Sequence, residues 1–371
     1  MYRQLQKEVE NIFDVPYEAA AEYERNMELL VNEVNRVLES REDILTLIGE
    51  NPLEVMEENH NNHARFMLNV FKLNQQQLLL DTLPWVYRTY RVKGFSYDYF
   101  PVALQTWKEA VNTHLEPHLA SPLCAVYQWM VDRHESFVSL SLADNRSSTA
   151  FEREEWKTVN QKFISALLKG DHQQCLKMAE EEVNSRADLE NFYLQVLQPV
   201  LYRIGKMWEQ GEISVAHEHL ASAIVSRVMA SLYPGFILIE EKIGNAVLTA
   251  SPNEFHEIGA RMVADLLEID GWDVKYLGAN TPRDSLLEIL EEDPPDLLGV
   301  SIAMPFNLET ARDLIHTVKS SSKLKETVVM VGGKVLAENP GLWKVTGADM
   351  WAAHGKEAAY LATKARNGET K

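Results

Sequence analysis

Cysteine is nearly missing from this chain. Two in 371 residues, Cys124 and Cys175, exclude a disulfide framework and a cysteine-rich zinc module, and they point to a reducing, cytoplasmic setting. No apolar run reaches the roughly 18 residues a membrane-spanning helix needs. The opening MYRQLQKEVENIFDV lacks the apolar centre of a secretory signal. Positive charge is in deficit: 36 Lys and Arg stand against 55 Asp and Glu, a net charge of -19. That disfavours nucleic acid as a direct partner, because phosphate contacts need a basic surface. A P-loop, a Ser-His-Asp order and a nucleophilic cysteine in a telling context are all lacking, so the reading is a binding or sensing protein and not a catalyst. Internal repeats and low-complexity tracts are lacking too.

What remains is an ordinary globular balance, 46% hydrophobic and 25% charged, in which the hydrophobic period changes along the chain. Residues 1–147 read as an all-helical domain. Met27, Leu29, Leu30, Val34 and Leu38 recur at helical spacing, and Pro52 stands at a helix start. Within it, LPWVYRTYRVKGFSYDYFPVALQTW (83–107) is dense in aromatic and basic residues. Pro84, Gly94 and Pro101 are expected to cut this block into short pieces. The polar run DNRSST (144–149) marks a boundary. Residues 148–235 then read as a four-helix bundle, with segments near 152–168, 171–185, 187–210 and 214–232. Gly170 and Gly211 stand at the breaks and Ser214 is a plausible N-cap. After Tyr233-Pro234-Gly235 the pattern alternates strand and helix over 236–371. NAVLTA (245–250), DVKYLG (273–278), DLLGVSIAM (296–304), TVVMVGG (327–333) and ADMWA (348–352) are the strands of an expected five-stranded parallel sheet, flavodoxin-like, with helices on both faces. Ligands of such sheets sit beyond the carboxyl ends of the strands.

That edge carries the chemistry. Glu254-Phe255-His256-Glu257-Ile258-Gly259 follows the first strand. An imidazole there can ligate a transition metal, and a carboxylate two residues earlier can fix its orientation; a lone loop histidine can equally be a surface residue. The spacing resembles the D-x-H-x-x-G motif of cobalamin-binding domains, with Glu254 where aspartate usually stands. The resemblance implies His256 as the lower cobalt ligand in place of the cofactor's own dimethylbenzimidazole, and room at Gly259 for the macrocycle. It extends to Ser301 at the end of the third strand and to Gly332 and Gly333 at the end of the fourth, positions beside the cofactor's displaced nucleotide tail. Ala303 departs from the family's S-x-L or S-x-T.

The bundle segment GKMWEQGEISVAHEHLASAIV (205–225) holds Trp208, nine residues, then Glu218-His219. Either the tryptophan is core packing or it faces a ligand. His217 and His219, two apart on a helix, point to different sides. The arrangement resembles light-sensing adenosylcobalamin regulators of the CarH type. The resemblance implies that Trp208 shields the adenosyl group, Glu218 contacts it, and His219 is the upper cobalt ligand after photolysis of the cobalt–carbon bond. The helix-turn-helix of those regulators has no counterpart here. The helical domain in its place makes the chain similar in architecture to photocobilins, which pair cobalamin with biliverdin. On that reading Arg88 and Arg91 would hold tetrapyrrole propionates, and one of the histidines at 60, 63, 114, 118 and 134 could serve as a haem ligand. The aromatic block can also be plain core.

The expected function is therefore a cobalamin photoreceptor in signal transduction, acting through a homo-oligomer or a protein partner. A corrinoid methyl carrier of a methyltransferase system is the alternative. A mutase is disfavoured, because no (β/α)8 barrel of about 250 residues fits beside these modules.

Overall fold

The computed structural model describes residues 2–12, 14–75, 77–143, 153–236 and 242–369. The expected boundary at 144–149 lies outside them. The chain divides into two compact units, Met1–Arg146 with Glu209–Glu212, and Ser147–Trp208 with Ile213–Lys371.

The first unit is all helix: α1 (Tyr2–Ile12), α2 (Tyr17–Arg25), α3 (Met27–Glu39), α4 (Ile44–Leu47), α5 (Leu53–Leu73), α6 (Gln77–Val92), α7 (Tyr99–His114), α8 (Pro117–Asp132) and α9 (His134–Ala143). The buried stripe Leu30, Val31, Val34 and Leu38 on α3 follows the spacing read from the sequence. The aromatic block is less broken than its prolines suggest. Pro84 lies inside α6 and is buried. Pro101 falls in the first turn of α7, where a missing N–H costs little. Of the three expected breakers only Gly94 (φ +99) falls between the two helices, in the six-residue connection 93–98. Tyr87, Phe95, Tyr99, Phe100 and Trp107 are buried, and Tyr87 stacks on Phe100 at 3.7 Å, so these rings build the core of the unit.

The second unit begins with the bundle: α10 (Lys157–Leu168), α11 (His172–Glu182), α12 (Arg186–Phe192), α13 (Gln198–Glu209) and α14 (Val215–Leu232). Asp171, Ser185 and Ser214 cap α11, α12 and α14 with their side-chain oxygens. Between α12 and α13 the helix widens into a π-helical turn, Tyr193–Leu197. The cause is Pro199: it has no N–H for the carbonyl of Gln195, and Asn160 Nδ2 on α10 donates to that oxygen instead (3.1 Å).

The rest is a doubly wound module: β1 (Gly244–Ala250), α15 (Ile258–Ile269), β2 (Trp272–Gly278), α16 (Arg283–Glu292), β3 (Leu297–Ser301), α17 (Leu308–Ser320), β4 (Val328–Gly332), α18 (Lys334–Glu338), β5 (Met350–Trp351) and α19 (Gly355–Arg366). The sheet is parallel throughout, in the order β2-β1-β3-β4-β5, the flavodoxin-like order. Strands β3, β4 and β5 are shorter than their apolar runs. The chain leaves the sheet at Ser301 and Gly332, which brings both residues to its carboxyl edge.

Bundle and sheet share a core. Met262 and Leu266 of α15 lie in one cluster with Phe163, Phe192, Val196 and Val225 of the bundle, and each such side chain contributes about 1.5–3 kcal/mol by leaving water. Three polar contacts fix the joint. Tyr193 donates to Asp265 (2.7 Å), Tyr233 to Glu268 (2.5 Å), and Arg261 to the Ser226 carbonyl (3.4 Å). None of the described helices is long and apolar enough to cross a membrane.

Candidate functional site

The loop after β1 is built to present one imidazole. Asn253 takes a left-handed φ of +65°, and its N–H bonds Asn280 Oδ1 (3.0 Å), while the Asn280 N–H bonds the Glu254 carbonyl (2.9 Å). This turn sends Glu254 inward, 1% exposed, and Phe255 and His256 outward. Glu254 Oε1 accepts from the His256 N–H (3.1 Å) and stands 2.5 Å from His256 Nδ1. Its Oε2 accepts from the N–H groups of Ala303 (3.0 Å) and Met304 (2.9 Å) and from Asn307 Nδ2 (2.9 Å).

Burial opposes ionisation of this carboxyl. The His256 ring, Asn307 and the Met304 N–H more than offset that, and they hold its pKa down at about 2. An ionised Glu254 keeps the proton on Nδ1, and Nε2 is left as the imidazole's free lone pair. The His256 side chain is 63% exposed, so that nitrogen is accessible. The added methylene of glutamate is used: the carboxylate reaches across to the loop after β3, which the reading of residues 254–259 alone did not reveal. Asn307, 2% exposed, is the site residue that sequence reasoning missed. Its own signal is a polar residue just before an amphipathic helix, which is common and unspecific.

The residues expected to flank the cofactor lie on the same edge. Gly259 opens α15, and a Cβ there would meet nothing within 4 Å. Ser301 ends β3, half-buried, beside Gly332 in the register. Gly332 and Gly333 have reasons inside the fold. A Cβ on Gly332 would come 3.2 Å from the Ala352 carbonyl, and on Gly333 (φ +108) 2.2 Å from that of Ile302.

In the bundle, Ser214 Oγ takes His217 Nδ1 (2.7 Å), and Glu218 Oε2 takes His219 Nδ1 (2.6 Å). The two histidines are thus held apart. Glu218 is steadied by Ser222 Oγ (2.8 Å), and the His219 side chain is 75% exposed. Trp208, in the last turn of α13, is half-buried. His219 lies seven residues before the Ser226–Arg261 contact, about 10 Å along α14.

The N-terminal candidates are engaged by partners within the first unit. Arg88 pairs with Glu209 (2.6 Å) and donates to the Ser141 carbonyl. Arg91 donates to the Phe95 carbonyl and lies over the Tyr97 ring. Among the histidines, His60 bonds Asn35 and Tyr99 (2.5 and 2.8 Å), and His134 bonds Tyr87. The Nε2 atoms of His63 and His114 are buried without a partner. His114 ends α7, while Pro117 opens α8. A cavity of about 40 Å³ lies among α5, α6 and α7, lined by His60, His63, Tyr87, Tyr90, Tyr99 and Trp107. Burial pushes His60 down to about 4 and His63 to about 3, so both rings are neutral. Among the described residues no group of three His, Cys, Asp or Glu could hold a metal by itself. One fixed, accessible imidazole suits a metal that brings its other ligands with it, as a tetrapyrrole does.

A parallel sheet with such an imidazole at its carboxyl edge, packed through α15 against a helical bundle, is an arrangement that suits a cobalamin-binding module. Comparison with known families agrees: residues 244–362 match the B12 binding domain, and residues 159–233 match a second model, also described as a B12 binding domain. Cobalamin or a related corrinoid is the cofactor these domains indicate. Among curated relatives, dimethylamine corrinoid protein 3 of Methanosarcina acetivorans is 27% identical over 189 residues, 49% of this chain and 86% of that protein. The HTH-type transcriptional repressor CarH of Myxococcus xanthus is 28% identical over 188 residues, 51% of this chain and 62% of that protein. A solved monomethylamine corrinoid protein of Methanosarcina barkeri covers 57% of this chain and 99% of its own, with 19% identity and a TM-score of 0.49.

Proposed function

We propose that the chain is a cobalamin-dependent photoreceptor. It holds adenosylcobalamin through His256 and reports loss of the upper group through a change in the bundle, in oligomeric state or in docking to a protein partner. The observation that carries this reading is a pair of imidazoles prepared alike. His256 and His219 each have Nδ1 fixed by a carboxylate, at 2.5 and 2.6 Å, and each is exposed with Nε2 free. A fixed, exposed imidazole in the bundle has no evident use in a methyl carrier, whose upper face must stay open to its partner. When bound, adenosylcobalamin supplies a cobalt–carbon bond that light breaks. In this reading Glu254 keeps His256 in the ligating tautomer. Trp208 and Glu218 enclose the adenosyl group, and Ser301, Gly332 and Gly333 border the nucleotide tail. His219 would be the residue to hold the metal once the upper group is lost, and a shift of His219 would be passed along α14 to its contact with α15.

The corrinoid methyl carrier is the second reading. The similarity to dimethylamine corrinoid protein 3, spanning 86% of that protein, favours it, and it needs His256 equally. A biliverdin site in the helical unit, with Arg88 and Arg91 as propionate partners, belongs to the first reading. The aromatic cavity of about 40 Å³ is far below the roughly 300 Å³ or more of ordinary cofactor sites, and neither arginine lines it, so the rings would have to part. The test is green illumination of the full chain loaded with adenosylcobalamin, beside His219→Ala. A changed absorbance spectrum and a changed assembly state in the wild type, with a different photoproduct in the variant, are expected. An unchanged spectrum and assembly state, with retention of a methylated corrinoid, would overturn the sensor in favour of the carrier.

A further inference from the structure

Phe255 is 72% exposed on a loop with little freedom. Its neighbours are pinned: the Glu254 N–H bonds the Ser251 carbonyl, the Asn280 N–H bonds the Glu254 carbonyl, and Asn307 Nδ2 reaches the Asn253 carbonyl. The backbone that carries the ring is therefore held, and the ring can move only by rotation of its own side chain. Isolated surface apolar residues are ordinary. This one stands directly before His256, which among the described residues is the accessible imidazole of the sheet edge fixed by a carboxylate, one Cα step of 3.8 Å away.

We infer that Phe255 is a positioning residue of the cofactor site, whose ring packs against the corrin macrocycle when His256 ligates the metal. The inference rests on the cobalamin reading above and adds a residue to it. A metal bound to Nε2 brings a rigid macrocycle several times wider than the spacing between adjacent Cα atoms close to the loop. A side chain held outward at the neighbouring position then meets it. An aromatic ring there loses its exposed area to the ligand and keeps water from the metal–imidazole bond. The pinned backbone means that little ordering has to occur on binding. At Gly259, on the other side of the histidine, no side chain intervenes.

The experiment titrates the full-length apo-protein with adenosylcobalamin in the dark, by equilibrium dialysis and absorbance, for the wild type, Phe255→Ala, Phe255→Leu and His256→Ala. Thermal unfolding of each apo-protein is measured in parallel. Phe255→Ala is expected to bind about tenfold more weakly. Phe255→Leu should recover most of that loss, and both should unfold at the wild-type temperature, because the ring touches no core. Wild-type affinity in Phe255→Ala, or a loss that tracks a lowered apo-protein unfolding temperature and is not rescued by leucine, overturns the inference while leaving the cobalamin reading intact. Failure of the wild type to take up the cofactor overturns both.

Discussion

Replacing Asp265 by asparagine should stabilise this protein increasingly above about pH 4, with the full gain reached above about pH 6. Asp265 is 4% exposed, on the face of α15 that meets the bundle, and it accepts a 2.7 Å hydrogen bond from Tyr193 in the π-helical turn. Burial raises its pKa; Tyr193 and Arg261 oppose the rise, and Glu268 adds to it, leaving the group at about 6. Tyr233 and Tyr276 also lie within its electrostatic reach. A rise from the ordinary 3.8 to about 6 corresponds to about 3 kcal/mol. The folded state holds this proton more tightly than the unfolded chain. The stabilisation is therefore complete below about pH 4 and is lost as the pH climbs through 6. Asparagine keeps an oxygen for Tyr193 without the charge, so Asp265→Asn should gain about 1–3 kcal/mol at pH 8 and nothing at pH 4. Urea denaturation of the apo-protein at pH 4, 6 and 8 reads this directly. If the variant is less stable than the wild type at pH 8, the ionised carboxylate is an asset at the joint and the reasoning is refuted.

Two further substitutions test the site's framework. Glu254→Ala strips partners from the half-buried N–H groups of Ala303 and Met304 and the buried amide of Asn307, so about 2–5 kcal/mol of stability should be lost in chemical denaturation. Glu254→Gln should cost less stability but about 10–100-fold in cofactor affinity. At Gly333, a methyl would sit 2.2 Å from the Ile302 carbonyl at a φ of +108°. Gly333→Ala is therefore expected to destabilise by about 2–4 kcal/mol in the absence of any cofactor, whereas a role confined to the nucleotide tail would leave the apo-protein unchanged.

The alternation of short apolar runs and amphipathic segments made the sheet and bundle legible, because each period reports a local backbone geometry. The histidine at the end of β1 was legible for the same reason: its ligand-binding position follows from topology. What escaped was non-local. Asn307 meets Glu254 across more than fifty residues of chain, and no local pattern records that pairing. Pro84 read as a breaker because the packing of the aromatic rings around α6, which overrides the lost hydrogen bond, is a tertiary effect. The π-helical turn has a sequence cause in Pro199, but its accommodation depends on Asn160, on another helix. Arg88 and Arg91 were readable as basic residues among aromatics. The pairing of Arg88 with Glu209, 121 residues on, was not.

The central claim is that the His256 imidazole is the lower ligand of a bound corrinoid. Electron paramagnetic resonance of the cob(II)alamin-loaded full chain, with ¹⁵N-labelled histidine and with His256→Ala beside it, tests this most directly. Superhyperfine splitting from one axial ¹⁵N nucleus, absent in the variant, is the expected result. A splitting from the cofactor's own unlabelled base in the wild type, or an unaltered signal in His256→Ala, would contradict it.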